Sequence, residues 1–155
     1  MLLTVRPAKN QESAFAWPIY NRYIGENIFG LSGSKLDKSD WLLQEETKFQ
    51  DYWSAADAYI IEVDGSPVGW ISTSKANNTL TIQNVFVDDG WQDKGIGEKL
   101  FSEMIPTWKA ERRVVEVPIL ITGTLSEEIQ RGLERLGFEE SGSDGLVRMM
   151  RVNFS

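Results

Sequence analysis

At 155 residues with a formal net charge of −7, the chain is long enough for one domain with a real core. It is too acidic for general nucleic-acid binding, which leaves a basic footprint. It contains neither Cys nor His, which excludes disulfides, thiolate metal sites, a cysteine nucleophile, His-based acid–base catalysis and His-ligated metals.

The opening MLLTVRP is too short and wrongly flanked for a signal peptide, and no apolar run approaches membrane-span length, so the expectation is a cytoplasmic protein with no membrane contact. Leu2 to Arg6 reads as a first strand ended by Pro7. Residues 10 to 25 carry helical apolar spacing at Phe15, Ile19, Tyr20, Tyr23 and Ile24, with Pro18 expected to kink or split that helix. Gly25 to Asp40 reads as a loop, and Asp40 as the cap of a helix running to about Trp53. Tyr59 to Val63 and Val68 to Ser74 are strands joined by the hairpin signal Asp64-Gly65. Asn77-Asn78 is a second turn, leading into a third strand, Thr79 to Val87. Later, Val114 to Thr122 holds a strand in which Pro118 argues for incomplete pairing. Thr124-x-x-Glu127 suggests the start of a helix that ends at Leu136-Gly137. Phe138 to Ser141 and Leu146 to Val152 read as a final hairpin. Nothing suggests a linker or repeat, so residues 1–155 are expected to form a single domain.

The segment between the third strand and the fourth is the most informative. Asp88-Asp89-Gly90 ends the strand, and after Gly95 the apolar residues Ile96, Leu100, Phe101, Met104, Ile105 and Trp108 mark one face of a helix. The first N–H groups of a helix lack intrahelical partners and sit at the positive end of its dipole, while glycine allows close approach of a ligand to backbone. A phosphate or pyrophosphate is the natural occupant, and Lys94 and Lys99 add positive charge. A dinucleotide fingerprint fails because the third glycine position is Leu100. A Walker A loop fails because Ile96 and Gly97 follow Gly95.

The remaining pattern, Gln92-Asp93-Lys94-Gly95-Ile96-Gly97, resembles the Q/R-x-x-G-x-G/A signature of the GNAT superfamily of N-acetyltransferases. VRPA at the start and ERLGF (Glu134 to Phe138) also resemble that family, and the element order follows it along nearly the whole chain. The resemblance implies an α+β fold with a mixed, mostly antiparallel sheet of six to seven strands and about four helices, in which a splayed strand pair forms a CoA cleft. It implies acetyl-CoA as co-substrate and no metal. Val85, Phe86 and Val87 would take the pantetheine arm; Gln92, Asp93, Lys94, Gly95, Ile96 and Gly97 would take the pyrophosphate; Ser126 would be a further contact. The implied acceptor is the primary amine of a small molecule or peptide, and a cationic one suits the acidic field. A homodimer is a common assembly in the family.

Acyl transfer to an amine needs a proton acceptor, an oxyanion donor and a proton for the departing thiolate. Here the chain departs from the family pattern. Thr81 and Gln83 stand where many members carry an acidic base, and Leu133 where many carry a tyrosine acid. Glu116, Glu62 and Tyr20 are the remaining candidates for catalysis. The alternative is a CoA-binding GNAT-fold sensor or interaction module with little transferase activity. Trp17, Tyr20, Tyr23, Phe29, Trp41, Tyr52 and Trp53 crowd the first two helices, where the family shapes its acceptor pocket, and aromatic faces can hold a cation there.

Overall fold

The computed structural model describes residues 1–120 and 124–155, and the side chains of Asp93 and Ser126 lie outside the described part. Seven strands form one sheet: β1 (Leu3–Pro7), β2 (Asp57–Val63), β3 (Ser66–Ala76), β4 (Thr79–Val87), β5 (Val114–Leu120), β6 (Glu139–Asp144) and β7 (Val147–Asn153), in the spatial order β1-β2-β3-β4-β5-β7-β6. Every neighbouring pair is antiparallel except β4 and β5. The hairpin signals hold: Asp64 (φ 50°) and Gly65 (φ 84°) turn β2 into β3, and Asn77 (φ 56°) turns β3 into β4. At Asp64-Gly65, positive φ at both central residues matches the right-handed strand twist.

Four helices cover the sheet among the described residues. Helices α1 (Ser13–Asn27) and α2 (Lys38–Ala55) pack on one face, where Ala16, Ile19, Phe49 and Trp53 meet Ile60 and Trp70. Helices α3 (Ile96–Ala110) and α4 (Thr124–Arg135) pack on the other, where Leu100, Phe101, Trp108 and Leu133 meet Ile61, Ile71, Leu80, Ile82 and Val115. Each such aliphatic side chain, fully buried, contributes about 1.5–3 kcal/mol. The predicted apolar face of α3 is the one that is buried: Ile96, Leu100, Phe101 and Trp108 are in the core, and Met104 and Ile105 lie against it.

Two expectations need correction. Pro18 does not split the first helix; α1 runs through it as one element. In the second turn of a helix the missing N–H removes one bond, to the carbonyl of Ala14, and the apolar face on either side of it stays packed. Asp40 is not the cap of α2. The cap is Asp37, whose Oδ1 accepts from the Asp40 amide at 2.9 Å. Asp40 instead adds negative charge to the first turn, where the helix dipole favours it. Among the described residues, no helix is long and apolar enough to cross a membrane.

The feature that positions the site is the parallel pair. β4 and β5 pair only at Thr79–Val114, Leu80–Val115 and Thr81–Glu116. Beyond that the strands part, although β4 stays paired with β3 as far as Val87 and β5 with β7 as far as Leu120. The incomplete pairing expected around Pro118 is therefore present on the β4 side. Residues 82 to 87 leave one edge of β4 unpaired over about 17 Å, at about 3.3 Å per residue.

Candidate functional site

The gap has the helix start at its mouth. β4 ends at Val87, a short 3₁₀ turn runs from Asp89 to Lys94, and Gly95 (φ 69°) sets the start of α3. That left-handed conformation is the one glycine adopts without steric cost. The first bond within α3 runs from the Lys99 amide to the Gly95 carbonyl at 3.0 Å, so the amides of Ile96, Gly97 and Glu98 are the donors that a helix N-terminus leaves without intrahelical partners, and none has a partner among the described residues. A Cβ on Gly97 would meet no atom within 4 Å. The space beside that glycine is open, as a backbone cradle for a ligand requires.

Side chains fix the turn. Arg22 of α1 pairs with Asp89 at 2.5 Å and Asp88 at 3.7 Å, which offsets two carboxylates that would otherwise oppose an anion here. The Gln92 amide donates to the Val87 carbonyl at 3.2 Å, tying the turn to the end of β4. Lys94 lies 5.0 Å from the Trp91 ring centroid, within cation–π range. Lys99 donates to the Met1 carbonyl at 3.0 Å, so its charge is anchored to the N-terminus. Glu98 and Arg135 form a two-point pair at 3.0 and 2.9 Å that joins α3 to α4. Those bonds hold the Glu98 carboxyl below its ordinary range.

Val85, Phe86 and Val87 present one backbone edge to β3, opposite Ile71, Trp70 and Gly69, and the other to the gap. The approach to β3 is very close. A Cβ on Gly69 would sit 2.2 Å from the Phe86 carbonyl oxygen and 3.1 Å from the Val87 Cα. Gly69 is thus a site-positioning residue that sequence reasoning missed, because only the register reveals it.

Across the sheet, on the α1–α2 face, Tyr20, Glu45, Lys48, Phe49, Tyr52, Trp70 and Asn84 line a cleft of about 230 Å³. Tyr20 stacks on Phe49 at 5.2 Å. Burial, and then the Glu45 charge, push its phenol above the ordinary value, so it is neutral at physiological pH. Glu45 pairs with Lys48 at 3.2 Å. Of the aromatic residues of the first two helices, Trp53 is core, while Tyr20 and Tyr52 line the cleft.

A β-bulge shapes the cleft floor. Ser72 faces Asn84 and Thr73 faces Ile82, leaving Gln83 as the extra residue. Gln83 and Asn84 both then reach the Tyr52 hydroxyl. It lies 2.8 Å from Gln83 Oε1, 3.1 Å from Asn84 Nδ2 and 2.6 Å from Ser72 Oγ, and Asn84 Nδ2 is also 3.0 Å from Ser72 Oγ. This cluster sits where β4 leaves β5.

The sequence candidates for catalysis are scattered. Glu62 lies on β2, two strands from β4, 3.3 Å from Arg6. Glu116 stands at the closed end of the gap, opposite Thr81, and 3.8 Å from Arg151. Tyr20 alone lines the cleft. Leu133 is buried in the core at 2 % exposure.

A seven-stranded sheet split between two parallel strands, with a glycine-opened helix at the mouth of the split, defines the acetyltransferase class of fold. The profile of the acetyltransferase (GNAT) domain matches residues 54–140, more than half of the chain, and the protein belongs to that family. An uncharacterized N-acetyltransferase of Methanocaldococcus jannaschii is 32% identical over 102 residues, which cover 60% of this chain. The chain spans less than half of that relative's length, 44%. In fold it resembles the PaiA N-acetyltransferase of Thermoplasma acidophilum, solved with coenzyme A (TM-score 0.73, 13% identity, 99% of each chain). It also resembles a Salmonella typhimurium protein named as an acetyltransferase and solved with its cofactor acetyl-CoA (TM-score 0.64, 19% identity, 100% of this chain and 95% of that one).

Proposed function

We propose that the protein is an N-acetyltransferase that moves an acetyl group from acetyl-CoA to the primary amine of a small molecule or peptide. The observation that carries this reading is the β4–β5 gap with the α3 N-terminus at its mouth, where the amides of Ile96, Gly97 and Glu98 have no partner among the described residues. Those amides, with Lys94, would hold the pyrophosphate. The unpaired edge of Val85 to Val87 would hold the pantetheine arm. The open space beside Gly97 supports the fit. Acetyl-CoA supplies the activated thioester, and the chain's contribution is to hold both reactants in line and to exclude alternatives.

The cleft on the α1–α2 face is the acceptor side of this reading. Aromatic walls favour an amine that arrives as a cation, and such an amine would compete with Lys48 for the Glu45 carboxylate. A thiol-release assay with acetyl-CoA against a panel of mono- and polyamines and amino-terminal peptides tests it. Thiol release that depends on one amine class supports the proposal. Binding of acetyl-CoA without release for any amine would favour the second reading, a CoA-binding module. One observation lends weight to that alternative: Glu62 lies two strands from β4 and Glu116 at the closed end of the gap, so neither carboxylate lies along the open stretch of β4.

A further inference from the structure

Four polar side chains meet at the bulge, and their hydrogens can be assigned one by one. Gln83 Oε1 is an acceptor only, so the single Tyr52 proton is directed to it. The 2.6 Å contact between Tyr52 and Ser72 must then carry the serine proton toward the phenol oxygen. Asn84 Nδ2 donates one proton to Tyr52 and one to Ser72. The Tyr52 oxygen accepts two hydrogen bonds and offers one proton, and that proton faces an exposed partner.

Ser72 makes the arrangement informative. It is fully buried, at 0 % exposure, and a buried hydroxyl is costly unless it is bonded. Its described contacts are with Tyr52 and Asn84. A buried serine and an amide are thus both spent on the oxygen of one tyrosine that lines the cleft. Gln83 and Asn84 belong to the first unpaired stretch of β4, so this oxygen sits over the closed end of the gap. An acyl chain running along β4 from the α3 mouth would end there.

We propose that Tyr52 is a catalytic residue of the transfer, donating its proton to the departing CoA thiolate, with Ser72 and Asn84 as positioning residues. This rests on the transferase reading above. In the step, the amine, having given its ammonium proton to solvent after binding, forms a bond from its nitrogen to the acetyl carbon, and the carbon–sulfur bond breaks. The electron pair goes to sulfur, which takes the Tyr52 proton. The proton lost by the acylated nitrogen returns to the Tyr52 oxygen. The products are an N-acetyl amine and CoA thiol, and Tyr52 is regenerated. The bonds from Ser72 and Asn84 hold the charge left on the phenol oxygen while its proton is away. Gln83 keeps the hydroxyl pointed to the open side until the substrates displace it.

The test compares wild type, Tyr52→Phe and Ser72→Ala, each measured for acetyl-CoA binding by calorimetry, for melting temperature and for steady-state kinetics. Tyr52→Phe keeps the ring and removes the proton. The expected result is a fall in kcat of about a hundredfold or more, with acetyl-CoA affinity and acceptor KM within threefold of wild type. Ser72→Ala is expected to lower kcat by about tenfold with both KM values unchanged, a split that a merely structural role would not produce. A Tyr52→Phe enzyme with kcat within threefold of wild type overturns the proposal. So does a loss confined to acceptor KM, which would make Tyr52 part of the cleft wall only. A wild-type protein that binds acetyl-CoA yet acetylates no amine refutes the transferase reading itself, and the role of Tyr52 falls with it.

Discussion

Gly69→Ala should damage both stability and the site, and the size of the effect can be worked from the backbone. An added Cβ would lie 2.2 Å from the Phe86 carbonyl oxygen, 3.1 Å from the Val87 Cα and 3.2 Å from the Phe86 carbonyl carbon. Carbon-to-carbonyl-oxygen contacts settle at about 3.3–3.6 Å, so β3 and β4 must part locally by roughly 1 Å. All three atoms are main chain, so no rotamer change can relieve the clash. Overpacking of this kind costs about 1–3 kcal/mol. Weakening the neighbouring bond from the Asp88 amide to the Val68 carbonyl, now 2.8 Å, adds about 1 kcal/mol. A total near 3 kcal/mol lowers Tm by about 6–12 °C for a chain of this size. Thermal denaturation followed by circular dichroism measures it. Because the displaced segment is the one that borders the gap, acetyl-CoA should also stabilise the variant less than it stabilises wild type. A variant that melts within 2 °C of wild type would refute the claim that this close approach sets the position of β4.

Further outcomes follow from the same geometry. Gly95→Ala forces a side chain into φ 69° at the start of α3 and should cost about 1–2 kcal/mol, read as a lower denaturation midpoint. Glu12 accepts two hydrogen bonds from Arg6, at 2.8 and 2.7 Å, and one from the Lys9 amide, at 2.8 Å. Chiefly the Arg6 bonds lower its carboxyl from 4.5 to about 2. Its stabilisation is complete above pH 4.5 and is lost as pH falls toward 2; the Tm gap between wild type and Glu12→Gln should therefore narrow over that window, and a gap that stays constant would contradict the assignment. Glu45→Gln should raise KM for a cationic acceptor about three- to tenfold with kcat nearly unchanged, whereas an unchanged KM would remove Glu45 from acceptor recognition.

The stretch from Thr79 to Trp108 was legible in the sequence because its signals are local. Strand alternation, turn residues and the helical period each depend on neighbours in the chain, and β4 spans the predicted Thr79 to Val87. Fold class and family were likewise readable from motif order. The ends of elements were less so. Asp37 and Asp40 are both plausible caps, and only the backbone at Asp37 (φ −66°, ψ 165°) decides between them. What stayed hidden is what register creates. The bulge at Gln83 reverses the alternation of β4 and turns Asn84 toward α2. Tyr52 meets its partners across 20 to 32 residues of sequence, so in the sequence it is one of several aromatic residues near the acceptor pocket, with nothing to single out its hydroxyl. Gly69 likewise looks like an ordinary weak point in a strand until Phe86 is placed beside it.

The glycine at the helix start is where CoA binding is tested most directly. A Cβ at Gly97 meets no described atom within 4 Å beyond its chain neighbours and its own helix backbone, so Gly97→Val is expected to keep the packed fold while filling the space proposed for the pyrophosphate. Calorimetric titration of acetyl-CoA into wild type and Gly97→Val, with melting curves of both, is the measurement. The prediction is saturable binding to wild type, a Tm for the variant within a few degrees of wild type, as expected for one half-buried position beside open space, and affinity reduced by about a hundredfold or more, equivalent to about 2.7 kcal/mol. A folded Gly97→Val protein that binds acetyl-CoA as tightly as wild type would contradict the assignment of this helix start as the CoA site.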